Sequence, residues 1–156
     1  MIKGSIILSG ERDSGKSTRL LNLFNKNKAK IKISGIITLP FIQKGVKIGY
    51  NALFLNRSRA SKPVPFFRTR PFTGSTKWRI FFVDFGIFKK FGEIAEIRKS
   101  DLFLLDEVGP LELEEKKGFY PYLHEIYSNN RAVIAVVRPS LISGFLKEIG
   151  RFHHRS

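Results

Sequence analysis

A glycine-rich segment near the amino terminus has the residue types and spacing of a phosphate-binding loop. It runs Gly10-Glu11-Arg12-Asp13-Ser14-Gly15-Lys16-Ser17, followed by Thr18, and fits the pattern G-x-x-x-x-G-K-[ST]. Glycines allow successive backbone N–H groups to turn inward around an anion. Lys16 would then reach the β- and γ-phosphates, and the Ser17 hydroxyl would ligate Mg²⁺. We predict that residues 10–18 bind the phosphates of a nucleotide.

The residues on either side of this loop predict the strand and helix that a phosphate-binding loop requires. Residues 5–9 form a short apolar run with β-branched side chains, which is typical of a buried strand. After the loop, Leu20 and Phe24 are four residues apart and would share one face of a helix. The amino terminus of that helix would add the positive end of its dipole to the phosphate site.

A second candidate site follows the apolar run at residues 102–105. Asp106 and Glu107 come directly after it, at the tip of a predicted central strand, where open α/β sheets bind ligands. This is the Walker B pattern: Asp106 would hold Mg²⁺ through water, and Glu107 would orient and polarise an attacking water. Arg138 follows another apolar run, residues 132–137, and either faces the γ-phosphate or forms an ordinary surface ion pair.

The intervening sequence predicts a hairpin and three further helices. Residues 33–55 read as two strands joined at Gln43-Lys44-Gly45, and residues 78–83 as one more strand. Apolar spacing predicts helices at 87–99, 117–128 and 141–149. The pattern indicates one α/β domain spanning residues 1–156, a three-layer sandwich whose mostly parallel sheet carries helices on both faces and an added β-hairpin.

A basic segment at residues 56–77 has a different composition from the rest of the chain. It contains no acidic residue, is interrupted by three prolines, and holds six cations and three phenylalanines: Arg57, Arg59, Lys62, Arg68, Arg70, Lys77, Phe66, Phe67 and Phe72. Such a segment would form a flap over the nucleotide or a surface for single-stranded nucleic acid. Alternatively, it is a loop whose aromatic residues pack on the core while its charges face solvent.

Composition limits the classes of protein to which the chain can belong. There are 28 Lys and Arg against 13 Asp and Glu, a formal net charge of +15, which favours polyanionic partners such as nucleotides or nucleic acid. The absence of Cys excludes disulfides, thiolate metal sites and a Cys nucleophile. No apolar run is long enough for a membrane span and no signal-peptide pattern is present, so we expect a cytoplasmic protein without a membrane partner.

With both motifs in place, the chain resembles the small P-loop nucleoside triphosphatases known from thermophiles, relatives of the human cancer-related nucleoside triphosphatase. The resemblance extends from Lys3 to about Val137 and is most specific at Asp106-Glu107-Val108-Gly109-Pro110-Leu111-Glu112, similar to the family signature D-E-[IV]-G-x-[ML]-E. It implies a RecA-like core, phosphate binding at residues 10–18, catalysis by Glu107, and Mg²⁺-dependent hydrolysis of several nucleoside triphosphates to diphosphates with low base selectivity.

The expected mechanism is attack of water on the γ-phosphate. Lys16 and the loop amides would hold the phosphates, Ser17 and Asp106 would place Mg²⁺, and Arg138, Arg57 or Arg59 would neutralise developing charge. Three alternatives remain open: a nucleotide or polynucleotide kinase, a nucleic-acid-binding ATPase that uses residues 56–77, and a nucleotide-gated interaction module. The sequence does not determine the physiological nucleotide or the oligomeric state.

Overall fold

The computed structural model describes residues 4–10, 14–94, 100–129 and 132–153. Within those residues a single nine-stranded sheet has the order β1-β9-β8-β2-β3-β5-β7-β6, and β4 pairs with β3 beside this path. The strands are β1 Ser5–Leu8, β2 Ile33–Gln43, β3 Val46–Asn56, β4 Arg59–Ala60, β5 Val64–Arg68, β6 Thr76–Trp78, β7 Phe81–Val83, β8 Leu102–Val108 and β9 Ala132–Val137. The helices are α1 Lys16–Asn27, α2 Gly86–Ile94, α3 Pro110–Leu113, α4 Tyr120–Asn129 and α5 Ile142–His153, with a 3₁₀ turn at Pro139–Leu141.

Four strands form the parallel half of the sheet, in the order β1-β9-β8-β2. Their carboxyl ends therefore meet along one edge, where the loop after β1 and the acidic end of β8 lie. The predicted strands before the phosphate-binding loop, at 102–106 and at 132–137 are all present. The first of them, however, is the edge strand of the sheet rather than a central one, and Ile6 on it is 48% exposed.

The predicted hairpin is confirmed, and its first strand belongs to both halves of the sheet. β2 pairs antiparallel with β3 across the turn at Lys44 and Gly45, while its first four residues pair parallel with β8. The hairpin is therefore continuous with the parallel core instead of lying beside it. Lys44 and Gly45 both have positive φ, which a tight connection between two antiparallel strands requires.

The basic segment at 56–77 extends the sheet, so the prediction of an irregular loop is wrong, while its role as a flap over a nucleotide stays a prediction. It contributes β4, β5 and the start of β6, and β5 pairs with β3. Phe66 on β5 is buried in the core, as the packing alternative expected. The predicted strand at 78–83 is also corrected: these residues contain the end of β6, the turn at Arg79 and Ile80, and β7, which pairs with β6.

Helices cover both faces of the parallel strands and complete three layers. Alternate residues point to opposite faces: on β2, Ile36 packs beneath α2, α4 and α5, whereas its neighbour Ile37 packs beneath α1 with Leu20 and Phe24. The helices predicted at 117–128 and 141–149 are present within a few residues of the expected bounds, and α2 matches the start of the one predicted at 87–99, of which residues 95–99 lie outside the described residues. Among the residues that the structure describes, no helix has the length and apolar composition that a bilayer crossing requires.

Candidate active site

The phosphate-binding loop begins directly after β1 and leads into α1. Gly15 has φ +82, a left-handed conformation that glycine adopts without strain, and α1 starts at the next residue. Lys16 Nζ donates hydrogen bonds of 3.0 Å to the carbonyl oxygen of Gly10 and to Ser14 Oγ, so its side chain lies back along the loop. Ser17 and Thr18 lie in the first turn of α1, where backbone N–H groups lack helical partners. Glu11, Arg12 and Asp13 lie outside the described residues.

Asp106 lies at the centre of the site and is 2% exposed. Its Oδ2 accepts hydrogen bonds from Ser17 Oγ at 2.7 Å, from the Thr38 backbone N–H at 3.0 Å and from Thr38 Oγ1 at 3.1 Å. The pairing of β2 with β8 ends at Ile36 and Leu105, so the carboxylate satisfies the Thr38 N–H just past the last paired residues. Thr38 was not predicted as a site residue, because nothing in the sequence aligns it with a residue 68 positions away.

Ser17 and Asp106 have the chemistry that Mg²⁺ requires. Both offer oxygen atoms, and Mg²⁺ binds through one or two carboxylates while substrate phosphates and water supply its remaining ligands. Burial raises the pKa of Asp106, with a smaller contribution from the charge of Glu107, although hydrogen bonds from Ser17 and Thr38 oppose this rise. A buried carboxylate of this kind gains from a nearby cation. The two residues thus fit the predicted metal site.

Glu107 adopts a backbone conformation that is rare for a residue with a side chain. Its φ is +67, at an irregularity where the register between β8 and β9 shifts after Leu105. Such strain is typical of residues whose side chain is held for a function. The left-handed backbone lets Glu107 face the cleft instead of continuing the strand, and its Oε1 accepts a 3.2 Å hydrogen bond from Arg138 Nη2.

Arg138 reaches the same cleft from the end of β9. It lines this cleft with Lys16, Ser17, Asp106 and Glu107. Its ion pair with Glu107 joins two side chains that are each 42% exposed, so both alternatives given for Arg138 fit the geometry: it forms an ion pair, and it faces the candidate phosphate site.

Arg57 and Arg59 lie at the opposite end of the sheet, so the prediction that they neutralise charge at the phosphates is wrong. The Arg57 N–H donates to Ser34 Oγ, close to the amino end of β2, and Arg59 pairs with Asn56. The candidate site is at the carboxyl ends of the parallel strands. Because β3 runs antiparallel to β2, the turn after β3 lies beside the amino end of β2 and carries these arginines with it. Their position in the sequence does not show at which end of the sheet this turn lies.

Arg68 is a buried structural residue rather than an exposed cation. It is 7% exposed, and its guanidinium donates to the carbonyl oxygens of Tyr50 and Phe67 and to Asn51 Oδ1, at 2.7–2.9 Å. The guanidinium also lies 3.9 Å from the ring centroid of Phe41. These contacts hold β5 against β3, so Arg68 is not available to track a nucleic-acid backbone.

Glu112 holds together the turn that follows Glu107. It is 3% exposed, its Oε2 accepts the Gly109 N–H at 2.9 Å, and its Oε1 accepts the Phe119 N–H at 3.2 Å. Gly118 is necessary for this arrangement, since a Cβ there would lie 2.3 Å from Glu112 Oε1. The sequence signature included Glu112 without indicating its role. The structure shows that this carboxylate joins the two ends of the segment 109–119.

We expect Glu112 to make folding stability depend on pH. Burial raises its pKa from 4.5 to about 7, against the effect of its two backbone donors. Between these values the folded protein binds a proton that the unfolded chain has lost, so the free energy of unfolding falls as pH rises through this window. The loss between pH 5 and pH 8 should be about 2 kcal/mol.

Urea unfolding of the wild type and the Glu112→Gln variant at several pH values measures this contribution. The variant should show the smaller decline, whatever its absolute stability, and Glu93→Gln, on the exposed surface of α2, is the control. Parallel pH profiles of wild type and Glu112→Gln would show that Glu112 is ionised throughout the range.

The sheet order, the loop between β1 and α1, and the acidic end of β8 define an α/β P-loop fold with a cleft at the carboxyl ends of its parallel strands. Comparison with known proteins gives the family. The model of the NTPase family matches residues 5–155, and the chain belongs to this family.

The curated relatives include nucleoside-triphosphatases called THEP1. The chain is 25% identical over 143 residues to the one from Pyrobaculum islandicum, covering 92% of this chain and 78% of that protein. It is 24% identical over 132 residues to the one from Archaeoglobus fulgidus, covering 84% and 75%.

Two solved structures share the fold. The solution structure of a human cancer-related nucleoside triphosphatase superposes with a TM-score of 0.63 at 17% identity, covering 93% of this chain and 84% of that one. The crystal structure of THEP1 from the hyperthermophile Aquifex aeolicus gives a TM-score of 0.60 at 22% identity, covering 95% and 84%. The resemblance identified from the sequence motifs is confirmed.

Proposed function

We propose that this member of the NTPase family hydrolyses nucleoside 5′-triphosphates to diphosphates and phosphate, with Mg²⁺ and with low selectivity for the base. The observation that carries the proposal is the 2.7 Å contact between Ser17 Oγ and Asp106 Oδ2, with Lys16, Glu107 and Arg138 lining the same cleft. The names of the relatives support the activity. We also propose that residues 1–156 work as one domain, since one sheet contains all the strands of the described residues.

The proposed roles follow from where these side chains lie. Lys16 and the N–H groups at the start of α1 bind the β- and γ-phosphates. Ser17 and Asp106 would hold Mg²⁺, which would supply positive charge to the phosphates. Glu107 orients a water molecule and accepts its proton as the water oxygen attacks the γ-phosphorus. The bond to the β,γ-bridging oxygen breaks, and Arg138 stabilises the charge that develops on the phosphoryl oxygens.

Phosphate release from ATP, GTP, CTP and UTP tests this proposal. We expect the turnover rates of all four to lie within about tenfold of one another. Low base selectivity means that contacts with the base change the activation free energy by less than about 1.4 kcal/mol, which corresponds to a tenfold change in rate. Turnover should stop when EDTA removes Mg²⁺, and it should fall by about 100-fold in Lys16→Ala.

A parallel reaction with single-stranded RNA distinguishes the nucleic-acid-binding alternative. We expect no stimulation, because Arg68 is buried and Arg57 lies at the opposite end of the sheet. Negligible basal turnover that rises on addition of RNA would contradict the proposal and favour a nucleic-acid-dependent ATPase.

A further inference from the structure

An aromatic recess adjoins the phosphate cleft. It measures about 610 Å³ with its open mouth included, and the space open to the centre of a water molecule is about 70 Å³. Seven aromatic side chains from β3, β5, β6, β7, α2 and the segment before α4 form its walls: Tyr50, Phe66, Phe67, Trp78, Phe81, Phe88 and Phe119. Phe66, Phe88 and Phe119 are buried, whereas the other four are only partly covered and leave aromatic surface facing the recess.

The recess lies beyond the γ-phosphate end of the candidate site. It shares Thr38, Tyr50, Asp106, Glu107 and Arg138 with the phosphate cleft, but none of the described residues of the phosphate-binding loop lines it. With the β- and γ-phosphates held as proposed, the γ-phosphate faces Glu107. The ribose and base extend from the α-phosphate, at the opposite end of the triphosphate. The base of a bound nucleotide would therefore not enter the recess.

The lining indicates the chemistry of a second ligand. Its walls are apolar and aromatic, and three of its charged residues, Asp106, Glu107 and Arg138, also line the phosphate cleft. The remaining charged residue, Glu112, has both oxygens engaged by backbone N–H groups. A planar aromatic ring stacks on aromatic side chains whichever base it belongs to. A carboxylate at one end of the recess can accept the proton of a hydroxyl group on the same ligand.

We propose that the recess binds a small heteroaromatic compound that carries a hydroxyl group, of the nucleoside type, as a second substrate for the γ-phosphoryl group. The proposal rests on the proposed function, because the same cleft must hold the triphosphate. The hydroxyl oxygen attacks the γ-phosphorus, the bond to the β,γ-bridging oxygen breaks, and the hydroxyl proton passes to Glu107. The products are a nucleoside diphosphate and a phosphate monoester. When the recess is empty, water takes the place of the hydroxyl group.

The β6–β7 hairpin forms the outer wall. Its strand β7 pairs with β5, whereas exposed contacts hold the tip of the hairpin at Trp78 and Arg79. Trp78 Nε1 donates to Glu115 Oε2 at 2.7 Å, and Arg79 pairs with Glu114 at 3.0 Å, with both of these charged side chains about half exposed. The 70 Å³ open to the centre of a water molecule is below the roughly 150 Å³ of a cavity that accepts benzene. A ring therefore enters as the tip of this hairpin moves outward while β7 stays paired with β5, and the exposed Arg79–Glu114 ion pair opposes such a movement only weakly.

Trp78 is the only tryptophan of the chain and reports on the recess directly. Adenosine, added without any triphosphate, should quench or shift its fluorescence to saturation, whereas ribose, which lacks the aromatic base, should have no effect. Phe81→Ala removes one wall and should weaken adenosine binding about tenfold. Phe72→Ala removes an aromatic residue that does not line the recess and should leave binding unchanged. The absence of a saturable response in the wild type overturns the proposal.

Two further measurements separate this site from the nucleotide cleft. Lys16→Ala should retain the adenosine response, since adenosine has no phosphate for Lys16 to bind. Saturating Mg-ADP should also leave the response in the wild type, and its loss would mean that adenosine had occupied the nucleotide site. A Trp78 response in a protein that does not hydrolyse triphosphates would contradict the proposed function alone. Hydrolysis without a Trp78 response would contradict the recess alone.

Transfer is tested with ATP labelled at the γ-phosphate. Saturating adenosine should divert label from inorganic phosphate into AMP. If all the label still appears as phosphate while Trp78 reports a filled recess, the role of the occupant as phosphoryl acceptor is overturned.

Discussion

Replacing Glu107 with Gln is expected to lower kcat for Mg²⁺-dependent phosphate release by about 100- to 1,000-fold, with little change in KM. General base catalysis by a positioned carboxylate contributes this much, and an amide cannot accept the proton of the attacking water. Gln has nearly the same volume, and its carbonyl oxygen still accepts the hydrogen bond from Arg138 that Glu107 Oε1 accepts at 3.2 Å. Phosphate binding by Lys16 and Ser17 should persist, so steady-state kinetics with ATP separates the two parameters.

The control for this variant is Glu93→Gln, an exposed carboxylate on α2. It removes the same charge from the protein surface and should leave kcat unchanged. Full turnover in Glu107→Gln would exclude Glu107 as the base and leave substrate positioning and Arg138 as the sources of catalysis.

The role of Arg138 is tested by combining Glu107→Gln with Arg138→Gln. If Arg138 acts only by holding Glu107, Arg138→Gln should cause no further loss once Glu107 is Gln. If Arg138 stabilises charge on the phosphoryl oxygens, kcat should fall again in the double variant. A double-mutant cycle therefore distinguishes the two interpretations of their ion pair.

Replacing Gly35 with Ala is expected to be the most destabilising single-methyl change in the sheet. Gly35 pairs with Leu104 where β2 meets β8, and an added Cβ would lie 1.9 Å from the Leu104 carbonyl oxygen. Its φ of +133 is also unfavourable for a residue with a side chain. Strain and overpacking each cost about 1–3 kcal/mol, so we expect the free energy of unfolding to fall by about 3–5 kcal/mol.

Urea unfolding tests this expectation, with Gly150→Ala as the matched control. Gly150 lies in α5, and a Cβ there would meet no atom within 4 Å. Alanine favours a helix over glycine by about 1 kcal/mol, so the control should be neutral or stabilising. Equal stability of Gly35→Ala and the wild type would show that β2 and β8 can separate at this point without cost.

Local features made much of the site predictable. The candidate phosphate-binding loop is contiguous, and the roles expected of its glycines, lysine and serine depend on residues of one loop and of the first turn of α1. Asp106 and Glu107 lie near the carboxyl end of β8, and the apolar residues before them indicate a buried strand, so their place at this end followed from the strand alone. The three layers also followed, because the alternation of strands and helices permits few other arrangements.

Non-local pairing accounts for each prediction that was wrong. Arg57 and Arg59 were placed at the phosphates because no local pattern shows which end of the sheet a returning strand reaches. The basic neighbours of Arg68 in sequence, and the prolines that interrupt them, predict an exposed cation at this position. Its burial depends on Asn51 and Phe41, which β3 and β2 bring next to it.

The sequence by itself determined the family, the α/β layers and the contiguous parts of the candidate site, because each depends on residues close together along the chain. The tertiary structure alone decided that Thr38 holds Asp106, that Glu107 faces the cleft with φ +67, and that Trp78 closes an aromatic recess beside it. These features depend on strand register and on contacts between residues tens of positions apart. Register is set by how all the strands pack together, and no single segment encodes it.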